Sequence, residues 1–141
     1  MSAEDNKALV RKYFETQDRE RRTPTELCAP GFTAYISGNP TADLEALQQN
    51  DEVFFTGFSN IRHRIEDLVA EGDRVAFRQT IDFTHTGEFM GLPATGKQVS
   101  ISGIGIMRIA DGKIAEFWGN PDVMSFMQQL GVVSPPRQGE G

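Results

Sequence analysis

The pattern that most limits the possible folds of this chain is an alternation of interior and exterior residue types. It occurs in two long segments. In the first segment every second position faces the same way: Val75, Phe77, Gln79, Ile81 and Phe83. The second segment repeats the pattern with Val99, Ile101, Gly103, Gly105, Met107 and Ile109. Successive side chains of a β-strand point to opposite faces of a sheet, so both segments predict strands with one buried face. The Asp111-Gly112 pair is a strong hairpin signal and predicts a returning strand over residues 114–119.

Helical patterns precede and follow these strands. Apolar residues at helical spacing predict a first helix over residues 2–21: Leu9, Val10, Tyr13 and Phe14. Thr23-Pro24 predicts a short helix over 24–29, and Thr41 is the predicted N-cap of a helix that runs to about Phe54. Asn120-Pro121 and Gly131 bound a predicted final helix with a stripe of apolar residues.

The order of these elements indicates the fold class. Ile61, His63 and Ile65 alternate with charged residues and predict one more strand, which ends at Gly72-Asp73. Helices followed by antiparallel strands and a last helix indicate a single α+β domain over residues 1–133. A curved antiparallel sheet packed on N-terminal helices has a concave interior that suits a small molecule. Residues 134–141, SPPRQGEG, predict a disordered tail.

Composition excludes several classes of partner. The chain has 20 Asp and Glu against 14 Lys and Arg, a formal net charge of −6, which argues against binding to nucleic acid or anionic membranes. No apolar run is long enough to span a bilayer. The single cysteine, Cys28, and the polar N-terminus lead us to expect a cytoplasmic protein.

The sequence also lacks the motifs of common cofactor and metal sites. Two His and one Cys at unrelated spacings do not predict a metal centre. No G-x-G-x-x-G, phosphate-binding loop or G-x-S-x-G motif is present. We therefore expect neither a metal nor a tightly held cofactor.

A few polar side chains occupy positions where the strand pattern predicts an inward direction. His63 lies between Ile61 and Ile65, and Gln79 lies between Phe77 and Ile81. A buried polar group either finds an internal hydrogen bond or serves a ligand, and both alternatives stay open here. His63 and Gln79 are the candidate catalytic residues, since imidazole titrates near neutral pH and can move a proton.

Other polar residues have simpler structural interpretations. Tyr13 and Tyr35 could offer hydroxyls to the interior or serve as ordinary core residues. His85 begins a turn-rich loop, where it could bond the backbone or contact a ligand. Asp82 is predicted in a surface charge ladder, and Asp5 and Asp122 are predicted to complement helix N-termini.

Three segments resemble the SnoaL-like polyketide cyclase family. They are IEDLVAEGDRVAFR, THTGEFMGLPATGK and IMRIADGKIAEFWGNPD, within a likeness that spans about residues 13–131. The resemblance implies the cone-shaped α+β barrel shared with nuclear transport factor 2. It also implies a homodimer or homotetramer packed through outer sheet faces, with which the outward-facing Ile104 and Ile106 are compatible. Cyclases of the family close a ring of a polyketide ester by aldol chemistry, with an Asp as base and no metal or cofactor.

The chain departs from the family pattern at the positions that usually carry acid and base groups. Where members often have His-Trp-Asp after Glu, this chain has Phe117, Trp118 and Gly119. Gly105 and Tyr35 stand at positions often held by His. By the two-residue period Gly105 shares a face with Met107, and Phe117 shares one with Gly119. This predicts an apolar, base-poor cavity in which the glycines leave room for a flat polycycle, with His63 and Glu88 as the substitute bases.

Together these observations predict a tailoring enzyme of aromatic polyketide (anthracycline-type) antibiotic biosynthesis. The favoured reaction is a hydroxylase-like modification without cofactor or metal. The alternatives are an aldol cyclase of a polyketide methyl ester and a non-catalytic module that binds an apolar small molecule. The predicted substrate-binding residues are Tyr13, Tyr35, Phe77, His85, Gly105, Met107, Phe117 and Gly119.

Overall fold

Helices cover one face of a six-stranded sheet in the computed structural model, which describes residues 2–133. The predicted tail over 134–141 lies outside the described residues. The α-helices are α1 (Ala3–Glu20), α2 (Leu44–Gly57) and α3 (Val123–Leu130), and a 3-10 helix spans Thr25–Leu27. The strands are β1 (Cys28–Ile36), β2 (Ala42–Asp43), β3 (Phe58–Glu71), β4 (Arg74–His85), β5 (Gln98–Ala110) and β6 (Lys113–Pro121).

The strands form one curved, unclosed sheet in the order β2-β1-β6-β5-β4-β3. This arrangement confirms the predicted α+β class. The sheet is mixed, because β1 runs parallel to β6 while the other pairs are antiparallel. Strand β1 was not predicted, and its early residues Pro30 and Gly31 interrupt its pairing with β6 between Cys28 and Thr33. Proline lacks a donor for the ladder, which hides such a strand from pattern reading.

The predicted alternation of β4 and β5 is confirmed by their burial. Every second residue from Val75 to Phe83 and from Val99 to Ile109 is buried. The inward side chains form two apolar clusters. One packs α1 against the sheet through Val10, Tyr13, Phe14, Phe77 and Phe117, and the other packs α3 and α2 through Phe58, Ile81, Phe83, Ile101 and Leu130.

Local capping fixes where the helices and turns lie. Ser2 and Asp5 form a capping box at α1, and Asp122 caps α3, which ends at Gly131 in a left-handed conformation. The first helix and the role of Asp5 and Asp122 are thus confirmed. Helix α2 begins later than predicted. Its N-cap is Asp43 rather than Thr41, because the Asp43 side chain accepts a hydrogen bond from a backbone N–H of the first helical turn.

The outer face of the sheet carries several large side chains. Ile104 and Ile106 are 59% and 37% exposed, in agreement with their predicted outward direction. Tyr35 stacks on Trp118 on the same surface, with 5.5 Å between ring centroids. Assembly into a homodimer or homotetramer through this face stays a prediction. Among residues 2–133 no helix is both long enough and apolar enough to cross a membrane.

Candidate active site

Two adjoining cavities lie between the helices and the concave face of the sheet. The first, which we call the polar cavity, has a volume of about 440 Å³ and contains Asp51, His63 and Gln79 in its wall. The second, the apolar cavity, has a volume of about 510 Å³ and extends under α3. Both volumes fall within the range of about 300–1,000 Å³ in which small-molecule sites are found. The cavities share wall residues that include Phe54, His63, Ile81 and Phe89, so one elongated molecule can contact both.

Aromatic rings make up much of the wall of the polar cavity: Tyr13, Phe14, Phe54, Phe77, Phe89 and Phe117. Phe14 is the centre of the group and meets the rings of Tyr13 and Phe77 edge to face, with 5.2 Å between centroids in each pair. The imidazole of His63 stacks on the Phe14 ring, with 4.9 Å between centroids. Such a wall favours a flat, apolar guest.

His63 is held by the carboxylate of Asp18, which comes from the last turns of α1. One oxygen of Asp18 lies 2.6 Å from His63 Nδ1, and the other accepts a hydrogen bond of 2.7 Å from the backbone N–H of His63. Both side chains are largely buried, at 12% and 18% exposure. The pairing places the proton of a neutral imidazole on Nδ1, which leaves Nε2 with a free lone pair. His63 is therefore oriented as an acid or base at the wall of both cavities.

Asp51, on α2, brings a second titratable group to the polar cavity. Its Oδ2 accepts a hydrogen bond of 2.5 Å from the Thr23 hydroxyl and one of 3.3 Å from Gln17 Nε2. Burial raises the pKa of Asp51 to about 6, although these hydrogen bonds and the nearby His63 act in the opposite direction. A carboxyl group with such a pKa can take up and release a proton close to neutral pH.

The raised pKa of Asp51 predicts a pH-dependent cost to stability. Folding shifts this pKa upward from the ordinary 3.8, so the native state holds its proton more tightly and loses stability as pH rises from about 4 through 6. The change D51N removes the charge but keeps an acceptor for Thr23. We expect the free energy of unfolding of D51N, relative to wild type, to increase by about 2 kcal/mol between pH 4 and pH 7.

Urea unfolding of both proteins at the two pH values checks this expectation. Groups that do not interact with Asp51 contribute equally in both proteins, so their contributions cancel in the comparison. The exposed carboxylate of Asp67, which pairs with Arg78 at 2.6 Å, supplies a control in D67N. A difference between D51N and wild type that stays constant with pH would show that burial does not shift Asp51.

Gln79 also faces the polar cavity from the middle of β4. The side chain is 5% exposed, and its Oε1 is buried without a hydrogen-bond partner. Buried polar atoms are normally paired. Among the described residues Asn6 Oδ1 and His85 Nε2 are also buried without a partner, but of these three residues only Gln79 lines a cavity.

The apolar cavity is bounded by the sheet, by α3 and by the loop that follows β4. Its wall includes Phe83 and Ile101 from the sheet, Phe126 and Leu130 from α3, and Leu92 from the loop. Met90, which is 82% exposed, lies in the wall of both cavities. The wall of this cavity is mostly apolar, so it can contact the hydrocarbon part of a ligand but offers few hydrogen-bonding groups.

The structure brings together six of the ten residues predicted for the site: Tyr13, His63, Phe77, Gln79, Phe117 and Gly119 all line the polar cavity. The other four lie elsewhere. Tyr35 is on the outer face of the sheet, and Met107 is fully buried in the α1 core cluster. His85 is fully buried beside Phe58, where its Nδ1 lies 2.9 Å from the Thr95 hydroxyl. Gly105 packs against Phe77 and does not line either cavity.

The expected extra room at Gly105 and Gly119 is absent. A Cβ atom at Gly105 would lie 2.5 Å from Phe77 Cζ and 2.6 Å from the Trp118 carbonyl oxygen. One at Gly119 would lie 2.8 Å from Phe117 Cε1 and 3.0 Å from Ile36 Cδ1. Aromatic rings of neighbouring residues have therefore filled the space that larger side chains would take.

The expectation of a base-poor cavity is also wrong. Asp51 lies in the wall, and Asp18 holds His63 there, whereas Glu88 lines neither cavity. Neither aspartate was predicted for the site, because α1 and α2 carry many charged residues that look alike along the chain. The spacing of Asp18 from Phe14 is one helical turn, and this is the signal that could have placed it beside the cavity. Within residues 2–133 no three His, Cys, Asp or Glu side chains are grouped to hold a metal ion.

Comparison with known proteins identifies relatives of the whole domain. The family model for SnoaL-like polyketide cyclases matches residues 7–130. Among solved structures, AclR from Streptomyces galilaeus, a candidate hydroxylase, is 26% identical and superposes with a TM-score of 0.87 over 97% of this chain and 87% of its own. IdmH from Streptomyces antibioticus, a candidate polyketide cyclase, is 28% identical with a TM-score of 0.74, over 93% of this chain and 99% of its own.

Curated relatives match over a shorter segment. The aklanonic acid methyl ester cyclase DnrD of Streptomyces peucetius is 40% identical over 55 residues, which are 39% of this chain and 38% of DnrD. The nogalonic acid methyl ester cyclase of Streptomyces nogalater is 36% identical over 55 residues, 39% of this chain and 41% of that enzyme. The matched segment thus spans about two fifths of each curated relative. The family model covers most of the length of this chain, and the chain therefore belongs to the SnoaL-like polyketide cyclase family.

Proposed function

We propose that this chain is a tailoring enzyme of aromatic polyketide biosynthesis that deprotonates a flat polycyclic substrate in the polar cavity. The proposed outcome is a hydroxylase-like modification carried out with the chain's own side chains as acid and base. The observation that carries the proposal is the Asp18–His63 pair, 2.6 Å apart, at the wall of an aromatic-lined cavity. The substrate class follows the family and the shape of the two cavities.

His63 is the proposed proton acceptor. Its Nδ1–H donates to Asp18, so Nε2 is free to take a proton from an acidic C–H or phenol of the substrate. The imidazolium formed in this way is stabilised by the adjacent Asp18 carboxylate, as in other Asp-His pairs. Asp51, whose pKa of about 6 lets it exchange protons, is the proposed group that passes the proton on from the cavity.

Deprotonation makes an aromatic polyketide electron-rich enough to react with dioxygen. Incorporating one oxygen atom and releasing the other as water consumes two electrons and two protons, which a reductant or oxidation of the substrate itself must supply. Hydroxylation is supported by the likeness to AclR over 97% of this chain. It is also supported by Gly105, Phe117 and Gly119, which replace groups common in cyclases of the family.

Aldol ring closure is the second candidate. It begins with the same proton removal, after which the carbanion attacks a carbonyl carbon of the same molecule and the alkoxide is protonated. The cyclases that share 36–40% identity with this chain over 55 residues favour it. His63 with its Asp18 partner and Asp51 provide acid and base groups at the cavity wall, which removes the main objection to it.

Product mass distinguishes these reactions. Purified protein is mixed with aklanonic acid methyl ester or its ring-closed product, in air, with and without a nicotinamide or thiol reductant. With the reductant we expect a product heavier by one oxygen atom, and without it a product that has gained one oxygen atom and lost two hydrogens; ¹⁸O₂ should label either product. An isomeric product of unchanged mass would establish cyclisation instead. Tight binding without any turnover would contradict both reactions and leave the chain as a binding module.

A further inference from the structure

Gln79 is a buried polar side chain that the fold does not use. It stands at the centre of β4, between Ile65 of β3 and Gly103 of β5 in the sheet register. The side chain is 5% exposed, and its Oε1 atom has no hydrogen-bond partner. The same side chain lies in the wall of the polar cavity.

An acceptor left in this state opposes folding. Removing a carbonyl oxygen from water without a partner leaves its desolvation uncompensated, and an apolar side chain of similar shape would avoid that cost. Gln129 shows what a structural glutamine looks like in this protein. Its Oε1 accepts a bond of 2.9 Å from the Ser100 N–H, and its Nε2 donates one of 2.8 Å to the Ser100 carbonyl.

The surroundings of Gln79 define what can pair with it. The neighbouring inward residues on its strand are Phe77 and Ile81, which offer no donor. An amide oxygen only accepts hydrogen bonds, so a molecule that satisfies it must present an O–H or N–H group. The aromatic wall of the cavity favours a ring as the carrier of that group.

We propose that Gln79 is a specificity-determining residue that accepts a hydrogen bond from a phenolic hydroxyl of the aromatic ligand. This inference rests on the proposed function only in taking an aromatic polyketide as the occupant of the polar cavity. A ligand whose hydroxyl is methylated leaves Oε1 unpaired and adds a methyl group against it. The site therefore selects free phenols over their methyl ethers.

The test compares 2-hydroxyanthraquinone with 2-methoxyanthraquinone by isothermal titration calorimetry. Wild-type protein should bind the phenol about 10–100 times more tightly, which corresponds to the loss of one hydrogen bond to a buried acceptor. Q79M, which keeps a similar volume without the oxygen, should bind the two ligands within about twofold of each other. Its melting temperature should rise by a few degrees, because an unpaired buried acceptor has been removed.

The matched control is Q129M, which replaces a glutamine whose amide is fully paired. Q129M should lower the melting temperature and leave the preference for the phenol unchanged. Q79M, in contrast, should raise the melting temperature and abolish the preference. Equal binding of the two ligands by wild type would overturn the proposal. So would a Q79M protein that is destabilised or fails to fold, since that result assigns Gln79 to the structure.

The binding assay separates this proposal from the proposed function. If no substrate is turned over but the phenol preference is present in wild type and absent in Q79M, the proposed reaction fails and the role of Gln79 stands. If turnover occurs while Q79M keeps the preference, the reaction stands and the role of Gln79 fails.

Discussion

The variant H63Q should lose about 10²–10⁴-fold in kcat/KM on the substrate that wild type converts, with a much smaller change in its affinity. The magnitude is that of a general base, because glutamine can form hydrogen bonds but cannot take up a proton at neutral pH. His63 lines both cavities, stacks on Phe14 and is bound through Nδ1 to Asp18. Steady-state kinetics, combined with substrate binding measured without turnover, separate the catalytic step from binding.

The companion variant D18N tests the pair rather than the base alone. An amide has one acceptor oxygen where the carboxylate has two, so D18N cannot accept from both Nδ1 and the His63 backbone N–H in the same way. It also cannot stabilise an imidazolium, so kcat should fall while KM changes little. The exposed Asp67 provides the matched control, since D67N removes a surface pair with Arg78, and neither residue lines a cavity.

Three results would contradict this assignment. Unchanged turnover in H63Q would remove His63 from the mechanism. A loss in D67N as large as that in D18N would show that the kinetics follow a general effect of charge. A rise in KM with kcat preserved in H63Q would assign the imidazole to substrate binding alone.

Replacing Gly105 with alanine should destabilise the protein by about 3 kcal/mol. The new Cβ would stand 2.5 Å from Phe77 Cζ and 2.6 Å from the carbonyl oxygen of Trp118. The carbonyl belongs to the neighbouring strand, and the Phe77 ring is enclosed by Phe14 and Phe117 at 5.2 and 5.9 Å. Neither neighbour can withdraw without moving the core, so the overpacking cost falls at the upper end of its usual range.

Gly103 is the matched control for this change. It lies two residues earlier on β5 and faces inward like Gly105, but a Cβ atom placed there would meet no atom closer than 3.7 Å. G103A should therefore be neutral or more stable by up to about 1 kcal/mol, as expected when glycine leaves a strand. Urea unfolding of G105A, G103A and wild type compares the three. Equal stabilities would mean that the Phe77 ring moves freely and that the core around Gly105 is not tightly packed.

The sheet core could be predicted because its signal is local. The alternation from Val75 to Phe83 and from Val99 to Ile109 records which side of each strand is buried, and the Asp111-Gly112 turn fixes how the second strand reverses. Strand β1 escaped prediction because Pro30 and Gly31 break its pattern and because its partner, β6, lies near the other end of the chain. Parallel pairing of this kind leaves no turn signal between the two strands.

The candidate site divides in the same way. His63 and Gln79 could be found because each is a polar residue in an otherwise apolar row. Asp18 and Asp51 could not be distinguished from the other Asp and Glu residues of their helices. Which of these carboxylates is buried depends on how the helices pack on the sheet. Packing also decided the space beside Gly105 and Gly119, because the rings of Phe77 and Phe117 occupy the room that was expected there.

The order of residues along the chain was sufficient for the α+β class, the inward faces of the long strands, the family likeness and two of the polar residues that line the cavity. Those properties depend on the period of the backbone and on which residue follows which. The folded arrangement was needed to show that α1 and α2 bring carboxylates to His63 and into the cavity wall. The folded arrangement was also needed to show that Gln79 Oε1 has no hydrogen-bond partner. The physical reason in both cases is that distances between elements far apart in the chain are set by how the core packs and not by local spacing.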